Sequence, residues 1–372
     1  MSEDNLTPVV PFNDLGRGAQ IIRDSLDEVI SRVVGSGWYV LGPEHDGFEN
    51  ELATYMGVAH AVGVGNGTDA LQLALTGLGV GTGDTVLTAA NAGGYTSTAA
   101  RSIGAVPVFA DVDATTMLMT TETVAAAVAA LEIAPKVIVV THLFGTAADI
   151  VPIVEWAHDR DIFVLEDCAQ SLGAMVGDRR AGSIADVATT SFYPTKNLGA
   201  LGDGGAILTS SDDLARTLRQ LRQYGWSSKY QTTVQGGRNS RLDELQAAIL
   251  RTKLTMLDGW NQRRREIHAR YEAAVSSNAR MVNVASPGYV GHLAVVEVQD
   301  REAAKSIFDK HGIRTDVHYP IPDHLQPIAA GSRVAMALPV TERAAEHIIS
   351  VPLFPELNDD EIERTCVALS EL

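Results

Sequence analysis

Lys196 sits in the stretch SFYPTKNLGALGDGG (191–205), after the apolar run VATTSF and before a glycine-dense segment, unlike the exposed helix face that most lysines occupy. A lysine packed among strand ends and glycine turns loses solvation. Its pKa then falls from about 10.4, and its amine becomes nucleophilic enough to form a Schiff base with an aldehyde. Taken alone, a salt-bridged surface lysine is the plainer reading. Upstream, Asp167 stands where the apolar run of VLEDCAQS ends. A carboxylate there is costly unless it meets a cation or a donor, which favours a functional partner over a helix cap. The third feature is GVGNGTDALQLAL (63–75), in which Thr68 takes the sixth position of a G-x-G-x-x-G pattern and so rules out a dinucleotide fingerprint. A strand, a glycine turn and a helix still leave the amides of Gly67, Thr68 and Asp69 at a helix N-terminus, where they can hold a phosphate. Read singly, the stretch is equally a tight turn with Thr68 as the helix cap.

Phosphate, aldehyde and a basic ring nitrogen are the three partners that these features ask for, and pyridoxal 5'-phosphate carries all of them. The combination is far more specific than any of its parts.

Such residues need a frame that brings strand ends together. Short apolar runs rich in β-branched residues recur at 60–65, 85–90, 106–112, 136–143, 161–167, 187–193 and 205–210. Helical patterns such as TDALQLALTGL, TTETVAAAVAAL and IVPIVEWAHDR lie between several of them. Continuous apolarity implies burial on both faces, hence an α/β fold with a mainly parallel seven-stranded sheet and a site at its carboxyl edge. From Asn239 the texture changes: residues 240–275 read as one long or kinked helix. Strand-like HLAVVEV and IRTDVHY and helical REAAKSIFDKHG and NDDEIERTCVAL follow. The expected division is a large cofactor-binding domain over 1–254, with its N-terminal segment, and a small C-terminal α/β domain over 255–372.

The 372 residues carry a formal net charge of -17, and the densest basic segment, NQRRREIHAR, reads as a solvated helix face, so nucleic acid is not an expected partner. MSEDNLTPVV is acidic where a secretory signal is basic, and no apolar stretch reaches the length of a membrane span, so a cytoplasmic protein is expected. Cys168 and Cys366 form neither a metal-binding spacing nor a disulfide framework, and no metal is expected.

The segments SGWYVLGPE, GVGNGTDALQLAL, EDCAQSLGA, SFYPTKNLGALGDGGAI, NSRLDELQAAIL and HYPIPDHLQP resemble the DegT/DnrJ/EryC1/StrS family of sugar aminotransferases, of aspartate aminotransferase fold type I. The resemblance implies that Lys196 is the Schiff-base lysine and Asp167 the partner of the pyridine nitrogen. It places Gln170 near the ring hydroxyl and assigns the phosphate to Gly67, Thr68 and Ser191. Asn239 would reach the phosphate of a second subunit, which implies a homodimer with shared sites. For the nucleotide-sugar substrate it points to Tyr193, to Lys229 and Tyr230 from the partner, and to His318 and His324. Each histidine reads equally well as an ordinary satisfied residue.

Two positions depart from the family. Relatives place an aromatic ring that stacks on the cofactor where this chain has Gly93; either Tyr95 replaces it or the cofactor is covered less tightly. Arg238 stands where relatives often carry tyrosine. NLGALGDGG after the lysine resembles family members that aminate C3, which implies a dTDP-linked 3-keto-6-deoxyhexose as acceptor and an amino acid, L-glutamate, as donor. A 4-keto-sugar or cyclitol aminotransferase, a pyridoxamine-dependent sugar dehydratase and a non-catalytic regulatory protein are the alternatives. The dehydratases of this fold carry histidine at the lysine position, so Lys196 argues against that reading.

Overall fold

The computed structural model describes residues 8–372. Its frame is an eight-stranded sheet. The seven runs read from the sequence form β1 (His60–Val64), β2 (Thr85–Ala89), β3 (Val106–Ala110), β4 (Val137–Thr141), β5 (Phe163–Asp167), β6 (Val187–Ser191) and β7 (Gly205–Thr209). Their spatial order is β1-β7-β6-β5-β4-β2-β3, and the pair Arg333–Val334 adds a short eighth strand beside β3. β7 alone runs against its neighbours β1 and β6; the other pairs are parallel. All five residues of β4 are buried, as expected for a strand covered on both faces by helices.

Because β1, β2, β4, β5 and β6 point the same way, Val64, Ala89, Thr141, Asp167 and Ser191 all end at one edge, where β7 begins with Gly205. The helices Gly67–Gly77, Thr121–Ala129 and Ile150–His158 occupy the three helical patterns. Residues 240–275 form two helices, Glu244–Leu254 and Leu257–Ala274, broken at Thr255 and Met256. The first packs against helix Arg23–Ser36 through Ile22, Leu26, Val29, Val33, Ala248 and Ile249.

A three-stranded antiparallel sheet of Arg280–Met281, Ala294–Glu297 and Ile348–Val351 builds a second core with helices Arg301–Lys310 and Asp359–Ser370. Val10 joins that core and pairs with Ile313. The segment IRTDVHY, read as a strand, makes only isolated bridges, at Ile313 and Asp316. It lies at the seam instead, where it delivers His318 and Tyr319 to the open edge of the large sheet. Among the described residues no helix is long and apolar enough to cross a membrane.

Candidate active site

The carboxyl edge of the sheet opens into a cavity of about 560 Å³ whose wall includes Gly67, Thr68, Asp167, Ser191, Tyr193, Lys196 and His318. Each is there for a local reason. Alternation along β5 sends Glu166 and Asp167 to opposite sides of the sheet, and the two buried carboxylates meet different fates. Glu166 accepts from the Gly182, Ile184 and Ala185 amides (2.7, 3.0 and 2.9 Å) and from His142 Nε2 (3.0 Å). Burial pushes its pKa up, but His142 and those amides outweigh burial and leave it below the usual carboxylate range. Asp167 accepts from the Ala169 amide (3.1 Å), and burial holds its pKa above the usual range despite Lys196 nearby. A buried carboxylate left this short of donors is suited to receive a cation.

Lys196 follows the turn closed by its own N–H donating to Tyr193 O (2.8 Å). Burial lowers its pKa to about 8, with Asp167 pulling the other way. At neutral pH a usable fraction of its amine is therefore unprotonated. Below the plateau, uptake of an aldehyde cofactor by the stripped protein is expected to speed up about tenfold per pH unit, levelling off above pH 8. Stopped-flow absorbance between pH 6 and 9 checks this, and a flat profile would contradict the low pKa.

At the phosphate end the helix Gly67–Gly77 is capped by Asn66, not by Thr68: Asn66 Oδ1 accepts from the Asp69 amide (2.8 Å). The cap removes Asp69 from the set of free amides and leaves Gly67 and Thr68 facing the cavity. A Cβ on Gly67 would lie 2.7 Å from Ser191 Cβ, so glycine is what allows helix and strand end to share this corner. Thr189, also on the wall, has a buried hydroxyl without a partner. A helix N-terminus, an adjacent serine, a donor-poor carboxylate and an amine of low pKa suit the phosphate, ring nitrogen and aldehyde of pyridoxal phosphate.

The other expected residues lie off this wall. Gln170 is buried behind Tyr319, donating from Nε2 to the Tyr319 hydroxyl (3.1 Å) and accepting at Oε1 from the Phe144 amide (2.6 Å). Asn239 is exposed, and its backbone bridges Gln223. Lys229 and Tyr230 form the tip of the hairpin Trp226–Ser228 and Gln231–Thr232, with the ammonium 5.1 Å from the tyrosine ring centre. His324 pairs with Glu342 (3.1 Å) away from the cavity. Arg238 pairs with Asp69 (2.8 Å), beside the capped helix end.

Sequence reading passed over His292 and Tyr319, both on the wall. His292 Nδ1 donates to Asn197 Oδ1 (3.0 Å), because the Asn197 amide nitrogen is committed to Asn261 Oδ1 and Val290 O. Burial holds His292 neutral. No spacing marks it, whereas Tyr319 lies inside HYPIPDHLQP next to His318. His142, Glu166 and Cys168 bring ligand-type atoms within 4.8 Å of one another. Both His142 nitrogens are engaged, Nδ1 by the Ala148 amide (3.0 Å), and burial keeps the Cys168 thiol protonated, so none of the three offers a free ligand atom of the kind a metal takes.

A family model of DegT/DnrJ/EryC1/StrS aminotransferases matches residues 20–370. The chain belongs to that family. It is 40% identical over 379 residues to dTDP-3-amino-3,4,6-trideoxy-alpha-D-glucose transaminase of Streptomyces venezuelae, an alignment that covers 100% of this chain and 98% of the other. The enzyme of the same name from Micromonospora megalomicea subsp. nigra is 42% identical over 358 residues, covering 94% of this chain and 95% of the relative. The crystal structure of S. venezuelae DesV superposes with a TM-score of 0.93 at 39% identity, covering 98% of both chains. This member of the family is a pyridoxal-phosphate-dependent aminotransferase of fold type I.

Proposed function

We propose that the protein moves an amino group from L-glutamate to C3 of a dTDP-linked 3-keto-6-deoxyhexose. The observation that carries this reading is one cavity in which Lys196, Asp167 and the Gly67–Thr68 helix end converge. Its likeness to two relatives named for 3-amino sugars on dTDP, and the loop NLGALGDGG bordering the lysine, support the regiochemistry. Bound pyridoxal phosphate would supply an aldehyde that exchanges amino groups and a ring that takes up the electron pair released at the donor's α-carbon. Lys196 Nζ removes the α-proton of the donor and, in the second half, returns a proton to the sugar carbon. The low pKa of that amine suits both tasks. Asp167 would hold a proton on the ring nitrogen, while Ser191 and the Gly67 and Thr68 amides would hold the phosphate. Tyr193 and His318 stand at the cavity for the sugar nucleotide.

Turnover of a panel of 3-keto and 4-keto-6-deoxyhexose nucleotides with glutamate, read by mass spectrometry, tests the proposal. We expect the dTDP-linked 3-keto sugar to gain the amine. Efficient amination of the 4-keto isomer alone would overturn the regiochemistry.

Assembly belongs to the same reading, as does the division of the chain at residue 254. Trp38 and Tyr39 are more than half exposed, and this apolar stretch is tied to the NSRLDE segment through Val40 bridging Asp243 and Glu244 N–H donating to Tyr39 O (3.0 Å). Such a patch beside Asn239 suits an interface between two copies, through which Asn239 and the Lys229–Tyr230 tip reach the second copy's cavity. Asn239→Ala is expected to weaken cofactor binding about tenfold or more, the cost of one hydrogen bond to a charged group. Fluorescence titration together with sedimentation checks it; a monomer that retains tightly bound cofactor would refute the shared site.

A further inference from the structure

Gly93 has a φ of +81°, and a Cβ built on it would lie 2.6 Å from Cε2 and Cζ of Tyr319 and 3.0 Å from Cε1. The Tyr319 ring therefore fills the space that any side chain at position 93 would need. The loop that carries Gly93 is held from behind, where the Asp323 amide donates to Ala90 O (2.8 Å). The ring is flanked edge-on by Tyr95 (6.2 Å between centroids) and by His318 (5.5 Å).

Tyr319, and not Gln170, reaches the cavity that holds Lys196 and Asp167. Gln170 is locked in direction: with its oxygen accepting from the Phe144 amide, its nitrogen must donate to the Tyr319 hydroxyl. That leaves the proton of the Tyr319 hydroxyl for a third group, and Tyr95 on the same wall is the neighbour that engages it in this structure. Burial, with Tyr95 close by, raises the Tyr319 pKa, so the group remains a neutral donor throughout the physiological range.

We propose that Tyr319 supplies the aromatic wall against the cofactor ring and donates to the ring's hydroxyl oxygen, with Gln170 as its positioning residue and Gly93 as the residue that makes room. The inference rests on the cavity binding pyridoxal phosphate as read above. It resolves the loss of an aromatic side chain at position 93 differently from either sequence expectation. Tyr95 also lines the cavity, edge-on to Tyr319, but the ring that fills the space beside Gly93 comes from a distant segment.

A donor at the hydroxyl oxygen disperses its negative charge, so the nitrogen that joins Lys196 to the cofactor gives up its proton more easily. Equilibrium titration of stripped protein with pyridoxal phosphate, and the pH midpoint of the resulting visible absorption band, test the assignment. The wild type forms the band if the reading beneath the proposal is right, and its absence there would overturn that reading. Tyr319→Phe keeps the ring, so affinity should stay within about threefold while the band midpoint rises by about one pH unit, as for loss of one hydrogen bond to a charged group. Tyr319→Ala should weaken binding about tenfold, the scale of one aromatic contact. Gly93→Ala should weaken binding more in the wild type than in Tyr319→Ala, because the strain of a Cβ at positive φ is common to both backgrounds and cancels in the difference, leaving the clash with the ring. An unchanged midpoint in Tyr319→Phe, or additive effects of Gly93→Ala and Tyr319→Ala, would overturn the proposal.

Discussion

Lys196→Ala is expected to lower kcat by at least about 10⁴-fold and to abolish the visible absorbance of the holoenzyme, because in the proposed reaction one side chain both binds the cofactor covalently and carries the proton. No other lysine lines the cavity among the described residues. Lys253, the next partly buried lysine along the chain, is committed to Gly199 O (2.6 Å) and so is not available as a replacement. Borohydride reduction followed by peptide mapping should mark Lys196 in the wild type and nothing in the variant. Turnover within tenfold of wild type would defeat the assignment of Lys196.

The second large effect is expected at Asp167. Asp167→Asn preserves size and keeps an acceptor for the Ala169 amide but removes the charge that steadies a protonated ring nitrogen. A loss of about 10²- to 10³-fold in single-turnover deamination of glutamate is expected, the scale found when one preorganised electrostatic partner is removed. Cofactor binding should survive in part, since the phosphate contacts proposed for Gly67, Thr68 and Ser191 do not involve Asp167. Stability should move the opposite way. Burial raises the folded-state pKa of Asp167, so its favourable contribution is complete only below the unfolded carboxylate pKa and is lost as pH rises through the folded one. At neutral pH the ionised carboxylate therefore lowers the stability of the stripped protein, and Asp167→Asn should melt no lower than wild type. Fast deamination in both Asp167→Asn and Asp167→Ala would remove Asp167 from the ring nitrogen.

The adjacent carboxylate provides the contrast. Glu166 is as deeply buried, yet it is surrounded by three amides and His142. Glu166→Gln would set an NH2 against two of those donors, Ile184 and Ala185 at Oε1 or Gly182 and His142 at Oε2, so its cost falls on folding and not on the chemistry. The difference between these neighbours lies in which donors and charges the fold brings to each carboxylate, which no reading of LED in the sequence distinguishes.

Local chemistry made much of this protein legible from its sequence. Runs such as VIVVT, buried on both faces, can only be interior strands of a covered sheet, and the turn residues after them mark where strands end. Lys196, Asp167 and the Gly67–Thr68 turn were readable for the same reason: each is costly or unusual where it stands unless a ligand meets it. Tertiary structure decided whatever depends on which segments meet. The helix cap went to Asn66 because its side chain, not that of Thr68, reaches the Asp69 amide. IRTDVHY is as strand-like as many true strands, but it lies at the seam between the two sheets and makes isolated bridges in place of a ladder. His292 reached the cavity wall through an Asn197 amide whose direction was set by Asn261 and Val290, residues distant in sequence. The seat of Tyr319 beside Gly93 joins positions 226 residues apart (319 − 93), and only close packing between them reveals that the glycine makes room for a ring. Burial and hydrogen-bond direction are properties of the packed chain. A sequence states what each residue can offer, and the fold alone determines which offers are taken up.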